Sequence, residues 1–515
     1  MSWRNIASYT VLAAILLPPS WVAAAQSTPI PVVGIKTGID TTTGRRPARQ
    51  NINDLYARGG PQWDLYILAL SSLQAVNETD ELSYFRIAGI HGLPYSAWNG
   101  VEQVPGAPDG TGYCPHGQTL VSHAVDIASR YPPNTAPTYQ AAAQTLRQPY
   151  WDWASDARLP RAVLAVNVTV NGPDGGKITL RNPLYSYRFQ PGSVQTGFGG
   201  YLAGLPETAR CRGADGRNNG TASDEKMVEV AKDLMREVYD VFTRTSSFDA
   251  MAYNEWYDSS FENPHNAVHN YAGCGGTLGD LGCYADFNPS MLHHCNVDRL
   301  VAMWQAIYYQ NSMFTTTSTS SGEFGTPKGT VITADSPLKP FFRDKKGNFQ
   351  TSNSVTSIKT FGYTYPEIND WSMTAEGLAV NVRAKVNKLY SQSEVPLPST
   401  VNLVVDRKFA VARMSMLSMP SSGVAFASLL LGDVMLGNGG TTSLQESGPE
   451  VVVPFLRENL AVEIRLNDGS KVPVPSESTI QLDIQSTEYW ARSGDSQFPR
   501  FGNASKWPVR VCCGE

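Results

Sequence analysis

Histidine is scarce in this chain of 515 residues, which has only seven, and the segment from 295 to 515 has none. Any chemistry that needs an imidazole therefore belongs to the N-terminal part. Basic charge is also sparse, since no run of Lys and Arg is longer than a pair and the formal net charge is -5. This composition excludes the electrostatic footprint of a protein that binds nucleic acid or an anionic membrane, and it suits a small neutral substrate better. The histidines are His91, His116, His123, His265, His269, His293 and His294.

Beyond its N-terminus the sequence has no apolar stretch long enough to span a membrane. The N-terminus itself has the pattern of a signal peptide, with Arg4 before an apolar run from Ile6 to Leu17 and the small residues Ala23-Ala24-Ala25 before Gln26. We predict a signal peptide over residues 1–25, a secreted protein and no membrane association after signal removal; a buried N-terminal helix is the alternative. Four glycosylation sequons agree with this route: Asn77, Asn167, Asn219 and Asn503.

The number of cysteines is odd, at seven. At least one thiol is therefore expected to lie outside any intramolecular disulfide, even in an oxidising compartment. Cys274 and Cys283 are close enough in sequence to close a short loop, which makes them the candidate pair.

Apolar residues at helical spacing dominate the chain up to about residue 310. The segment from Trp63 to Val76 is apolar nearly all round, which predicts a buried helix. A second helix begins near His294 and places this histidine on an apolar face with Trp304. These patterns predict a mainly α, helical-bundle domain over residues 26–370. A further stripe at helical spacing consists of Met227, Val230, Leu234, Val238 and Val241.

The pattern changes after the proline-containing stretch 391–400, and we predict a linker over residues 371–400. Beyond it, apolar residues alternate on both sides of the turn Asn467-Asp468-Gly469, which predicts a β-hairpin. A second alternating run begins at Ile480. We therefore predict a smaller, β-rich domain over residues 401–515.

Three of the histidines have the spacing of a metal site. His265 and His269 are four residues apart, so a helix stacks their rings on one face. With His294 from a second helix they supply neutral nitrogen donors, which suit copper or zinc rather than magnesium or calcium. A zinc hydrolase would need Glu directly after His265, where this chain has Asn266. The missing Glu therefore argues against zinc hydrolysis, and the residues alone leave both copper and zinc open as the metal.

Asp298 lies one helical turn after His294. At that spacing its carboxylate could hold the second ring nitrogen of His294, which would fix the tautomer and orientation of a metal ligand. The alternative is an ion pair with Arg299 or with a neighbouring helix.

Five short motifs surround these histidines. Taken together they resemble those of the type-3 copper tyrosinases and polyphenol oxidases, in particular the secreted ascomycete members, and the resemblance covers most of residues 50–370. It implies a helical-bundle type-3 copper domain, followed by a β-rich domain that covers the active site. The motifs are Ile90-His91-Gly92, Gly112-Tyr113-Cys114-Pro115-His116-Gly117, Gln148-Pro149-Tyr150-Trp151-Asp152-Trp153-Ala154, Glu262-Asn263-Pro264-His265 and His293-His294-Cys295-Asn296-Val297-Asp298-Arg299.

The resemblance implies two copper ions as cofactors. Cys114 would form a thioether with the ring of His116, and His293 would lie beside the second ion without binding it. The implied ligands are His91 and His116 for the first ion, and His265, His269 and His294 for the second.

The implied activity is the copper-dependent oxidation of monophenols and o-diphenols to o-quinones with O2, of the kind used in melanin biosynthesis. Neutral imidazoles tolerate both oxidation states of copper, so the protein need only supply spacing and access. Glu262 and Asn266 match the pair that orients a water and accepts the phenol proton; a helix-start carboxylate and a surface amide are the alternatives. Tyr363-Thr364-Tyr365 resembles the motif that closes the domain, with Arg46 or Arg49 as its cation–π partner.

The chain departs from this pattern at the first copper. The family has a third histidine nine residues after the one that matches His116, where this chain has Val125, and the stretch that carries it is missing after Leu120. His123 could replace the lost ligand, or could be an ordinary helix-face histidine. Met291 stands where the family commonly has a gating Phe.

Two interpretations follow from this departure. In the first, the chain is an active oxidase that recruits His123, or its gene model has lost a segment. In the second, it is a secreted, catalytically impaired relative that binds at most one copper.

Overall fold

The computed structural model describes most of the chain before residue 392 and parts of the chain after it. The predicted signal peptide lies outside the described residues. These residues are 28–90, 97–105, 118–191, 206–213, 217–253, 259–274, 290–391, 401–402, 443–444, 449–459, 464–465, 471–472 and 482–509.

The main body consists of α-helices that share one apolar core. None of the helices in the described ranges is both long and apolar enough to cross a membrane. The helices are α1 (Ile52–Arg58), α2 (Pro61–Gln74), α3 (Tyr84–Ala88), α4 (Gln118–Ala128), α5 (Ala136–Thr145), α6 (Gly220–Glu229), α7 (Ala231–Arg244), α8 (Phe248–Ala252), α9 (Glu262–Gly273), α10 (Ser290–Ile307), α11 (Ala375–Tyr390) and α12 (Pro449–Asn459).

The predicted buried helix is confirmed as α2, which begins with Pro61 in its first turn and buries residues on all its faces. It packs against α4 and α5. The predicted apolar stripe is also buried, but two helices share it, because the backbone leaves helical geometry at Val230 between α6 and α7. Helix α9 packs against α6, α7 and α10. The two helices that carry the metal-site histidines therefore lie side by side within the core.

Every sheet in the described residues has two antiparallel strands. The predicted hairpin around Asn467-Asp468-Gly469 is confirmed by its strands, since Ile464 pairs with Val472, while its turn lies outside the described residues. The pairs are β1 (Asn167–Asn171) with β2 (Lys177–Arg181), β3 (Ser318–Thr319) with β4 (Val331–Ile332), β5 (Pro337–Phe342) with β6 (Phe349–Thr351), β7 (Val401–Asn402) with β8 (Ser443–Leu444), β9 (Ile464–Arg465) with β10 (Lys471–Val472), and β11 (Leu482–Trp490) with β12 (Arg500–Val509).

The predicted fold class is confirmed: a mainly α body is followed by a segment whose sheets are small. The structure differs from the predicted linker over residues 371–400, because α11 occupies much of it. This helix is capped by the Thr374 side chain, and it packs on α7 and α10 with Val382 and Val386 in the main core. The prediction of a linker gave weight to the prolines that follow this helix and overlooked the helical spacing of its apolar residues. The domain boundaries themselves stay predictions.

Candidate metal centre

The side chains of His265, His269 and His294 converge on one point. Their Nε2 atoms lie 3.2 Å apart between His265 and His294, 3.2 Å between His269 and His265, and 2.8 Å between His269 and His294. His265 and His269 come from one face of α9 and His294 from the first turns of α10. His269 and His294 are buried, and His265 is half-buried. The spacing of four residues brings His265 and His269 together, and the packing of α10 against α9 adds His294.

The three ring nitrogens fit a copper or zinc ion. The Nδ1 atom of His265 lies 2.9 Å from the amide oxygen of Asn266, so Nδ1 carries the proton and Nε2 keeps its lone pair. A cation placed between the three nitrogens would accept a lone pair from each of them. Three donors with these separations can all lie at about 2 Å from one point, which is the bond length of such ions to imidazole.

His293 completes a cluster of four imidazoles in the described residues. Its ring is stacked on that of His265 with 5.0 Å between centroids, and it is 1% exposed. Neither ring nitrogen has a hydrogen-bond partner among the described residues. Burial, followed by the neighbouring His269 and His265, lowers the pKa of His293 well below its ordinary value. The ring is therefore neutral and packs the centre on its protein side.

Asp298 does not serve His294 as the helix spacing suggested. Its carboxylate Oδ2 lies 2.8 Å from Nη1 of Arg49, and the Asp298 side chain is 50% exposed. An ion pair was the alternative that the sequence left open, although the partner is Arg49 rather than Arg299 or a neighbouring helix, because spacing alone does not show which face of α10 meets the N-terminal segment.

The predicted cation–π contact of the tyrosine motif is formed by Arg49. Its guanidinium carbon lies 3.9 Å from the centre of the Tyr363 ring, and Nη1 donates to the Tyr365 hydroxyl at 3.1 Å. Arg46, the other candidate, donates to the Tyr363 carbonyl and stacks on Trp371 at 5.7 Å. Both arginines therefore fix the N-terminal segment to residues 363–371.

One buried charge network behind the centre was not foreseen from the sequence. Arg299 is 1% exposed, and it pairs with Asp152 at 3.1 Å and with Glu367 at 2.8 Å. The Tyr390 hydroxyl accepts from Arg299 and donates to Asp152. The signal that could have revealed it was a charged residue, Asp152, between the two tryptophans of its motif. This network ties α10 and α11 to that motif.

The disulfide in the described residues joins Cys211 to Cys274, so the predicted pairing of Cys274 with Cys283 is wrong. Cys274 is the residue that ends α9, in a left-handed conformation with φ of 31°. The bond therefore ties the end of the histidine-bearing helix to the chain before α6. A sequence separation of 63 residues hid this partner.

The residues implied for the first copper ion, His91 and His116, lie outside the described residues, as does Cys114. His123 lies on α4, where its Nδ1 is 2.9 Å from the Ser72 hydroxyl of α2. Burial lowers the pKa of His123. Val125, at the position of the family's third histidine, is 44% exposed.

Glu262 and Asn266 lie one turn apart at the start of α9, on the face that they share with His265. Glu262 is half-buried and Asn266 is buried. Met291, at the place of the gating residue, is buried in the first turn of α10.

Comparison with known proteins gives this site a family context. The family model described as the common central domain of tyrosinase matches residues 129–307, which include all four clustered histidines. A tyrosinase from Podospora anserina is 32% identical over 400 residues, covering 69% of this chain and 68% of the relative. A tyrosinase from Neurospora crassa is 30% identical over 402 residues, covering 69% and 58%. Polyphenol oxidase 4 from Agaricus bisporus is 30% identical over 353 residues, covering 64% and 57%.

Solved structures agree with these relatives. A structure of latent and active mushroom tyrosinase superposes with a TM-score of 0.62 at 28% identity, covering 70% of this chain and 98% of the other. Recombinant mushroom tyrosinase gives a TM-score of 0.77 at 21% identity, covering 94% and 100%, which is a likeness of fold. Together with the four-imidazole cluster, the Podospora relative and the family model show that this chain belongs to the tyrosinase family.

Proposed function

We propose that this chain oxidises monophenols and o-diphenols to o-quinones with O2, at a copper centre held by His265, His269 and His294. Copper-dependent phenol oxidation is the chemistry of the family as a whole. The observation that carries the proposal is the convergence of three Nε2 atoms, which lie within 3.2 Å of one another. A bound copper pair would supply the electrons for O2, and neutral imidazoles suit both oxidation states of the metal.

The surrounding residues orient the three ring nitrogens and cover them on one side. The Asn266 amide accepts the Nδ1 proton of His265, which directs its Nε2 lone pair to the centre. The buried ring of His293 stacks on His265 from one side, and the Trp153 ring lies 5.6 Å from His293. These rings cover the centre on its protein side, and we place the substrate on the side of the half-buried His265.

Glu262 is our candidate for the group that accepts the phenol proton, through a water held between it and Asn266. It is half-buried on the same face of α9 as His265. A carboxylate in this place can accept the proton that a phenol would release when its oxygen binds a metal ion. Because the Asn266 oxygen is shared with His265, its amide group would donate to that water.

The first copper site decides between the active and the impaired interpretation. Exposed Val125 favours the impaired one, because α4 presents no imidazole at that position. His123 favours the active one, since its Nδ1 contact with Ser72 leaves Nε2 for a metal. We propose the active interpretation, in which either His123 serves as the third ligand or the gene model has lost the segment that carried it. We also propose secretion, glycosylation, a role in melanin formation and a C-terminal segment that covers the site.

The test is copper counting on the expressed full chain, with O2 uptake and o-quinone formation measured on a monophenol and an o-diphenol. About two copper ions per chain with quinone formation support the proposal; about one ion without turnover supports the impaired relative. Two variants separate the sites. His269→Ala should lose the second ion, and His123→Ala should lose the first where His123 is its third ligand. A parent chain that binds no copper would contradict the proposed centre at His265, His269 and His294.

A further inference from the structure

The turn between β11 and β12 is held by side chains of the helical body. The Asn387 amide nitrogen donates to the Asp495 carbonyl at 2.6 Å and to the Gln497 carbonyl at 2.8 Å. One helical turn earlier, Nε of Arg383 donates to the Ser496 carbonyl at 3.2 Å. Two side chains on one face of α11 thus bind three consecutive carbonyl groups.

Helix α7 completes the contact. The Tyr239 hydroxyl donates to the Asn387 side-chain oxygen at 2.8 Å, which fixes the amide with its NH2 group toward the turn. The Tyr239 ring meets the Phe498 ring edge to face at 6.3 Å, and Phe498 packs against the main core. At the rim, the Arg244 guanidinium carbon lies 4.0 Å from the centre of the Phe501 ring.

The burial of these groups shows that the contact is built into the fold. Asn387 is 2% exposed with the turn in place, so the carbonyl groups of the turn, rather than water, satisfy its two amide donors. The side chains of Asp495 and Gln497 are exposed, whereas their carbonyl groups are the bound atoms. The surface therefore recognises the backbone shape of the turn together with one aromatic anchor, Phe498.

We propose that this surface of α7 and α11 is a binding site for the β11–β12 turn that works without a covalent connection. Cutting the chain between α11 and β11 then leaves the C-terminal segment bound to the body, and loss of the Asn387 contact is what releases it. The inference needs no metal ion and does not rest on the proposed oxidase activity.

The test uses the full chain with a recognition sequence for a site-specific protease inserted after Ser391. Cys512→Ser and Cys513→Ser are included, because these are the only cysteines after residue 391 and their removal excludes a disulfide between the two pieces. After cleavage the pieces are followed by gel filtration and analytical ultracentrifugation over a dilution series. The two pieces should elute together, and separation of the parent pieces on cleavage would overturn the proposal.

Asn387→Ala should weaken the association roughly tenfold or more, the effect of losing buried hydrogen bonds. Asn381→Ala is the matched control, since Asn381 lies on the same helix and its side chain donates to the Glu367 carbonyl of the body. If Asn387→Ala does not fold, Phe498→Ala tests the same site from the hairpin. An association as tight as the parent's in a folded Asn387→Ala or Phe498→Ala variant would overturn the proposal.

Discussion

Arg49 stacks on Tyr363 with 3.9 Å between the guanidinium carbon and the ring centre. The two residues are far apart in sequence. Their contact joins the N-terminal segment to the part of the chain that precedes α11. Arg49 is 6% exposed, and it also pairs with Asp298 next to the metal-binding end of α10. A single side chain therefore joins three separate parts of the chain.

Replacing Arg49 with Ala should lower the free energy of unfolding by about 2–4 kcal/mol, since it removes a desolvated cation–π contact and charged hydrogen bonds. Arg49→Lys should recover part of the loss, because it keeps the charge without the planar stack. Denaturant unfolding measures both variants. Equal stability of Arg49→Ala and the parent would contradict this role.

Asp298→Ala should leave the copper affinity of the three-histidine centre within about threefold of the parent, because its carboxylate is paired with Arg49. A carboxylate that held His294 would instead cost about 10–100-fold in affinity on removal. Competitive titration with a copper chelator measures the difference. A loss of tenfold or more would restore the role that the sequence spacing suggested.

The convergence of the three histidines could be predicted because it depends on local geometry. His265 and His269 are four residues apart on one helix, and His294 lies on the apolar face of another. The partner of Asp298 is 249 residues away, and no periodic pattern reports such a contact. In α11 the sequence already contained the helical spacing of Val382 and Val386. The linker was predicted because the prolines that follow the helix were given more weight than this spacing.

The disulfide is a second contact that sequence distance concealed, and its loss should be measurable. Cys211→Ser with Cys274→Ser should lower the free energy of unfolding by about 2–5 kcal/mol, because the bond closes a long loop at the end of α9. Cys283→Ser is the control and should leave the bond intact. Mass spectrometry of unreduced peptides gives the pairing, and a Cys274–Cys283 peptide would contradict the structure.

Stability should fall as the pH rises from 4.5 toward 8, through Glu237 on α7. Burial raises the pKa of Glu237 to about 8, although the neighbouring Arg236 opposes the shift. The folded protein keeps this proton up to about pH 8, whereas the unfolded chain releases it near 4.5, the ordinary value. Raising the pH between these values therefore favours unfolding, and above pH 8 the loss is complete.

Glu237→Gln should remove this loss. The variant should be more stable than the parent by about 2–4 kcal/mol at pH 9 and similar to it at pH 4. Glu225→Gln on α6 is a control, because Glu225 is exposed. Unfolding curves measured across this pH range give the stability difference, and a difference independent of pH would argue against a protonated Glu237 in the folded chain.

Copper-edge anomalous diffraction from crystals of the copper-loaded chain should locate the one ion that His265, His269 and His294 hold. An anomalous peak should lie about 2 Å from all three Nε2 atoms and should disappear in His269→Ala. A copper-loaded crystal with no peak among these three nitrogens would contradict this assignment.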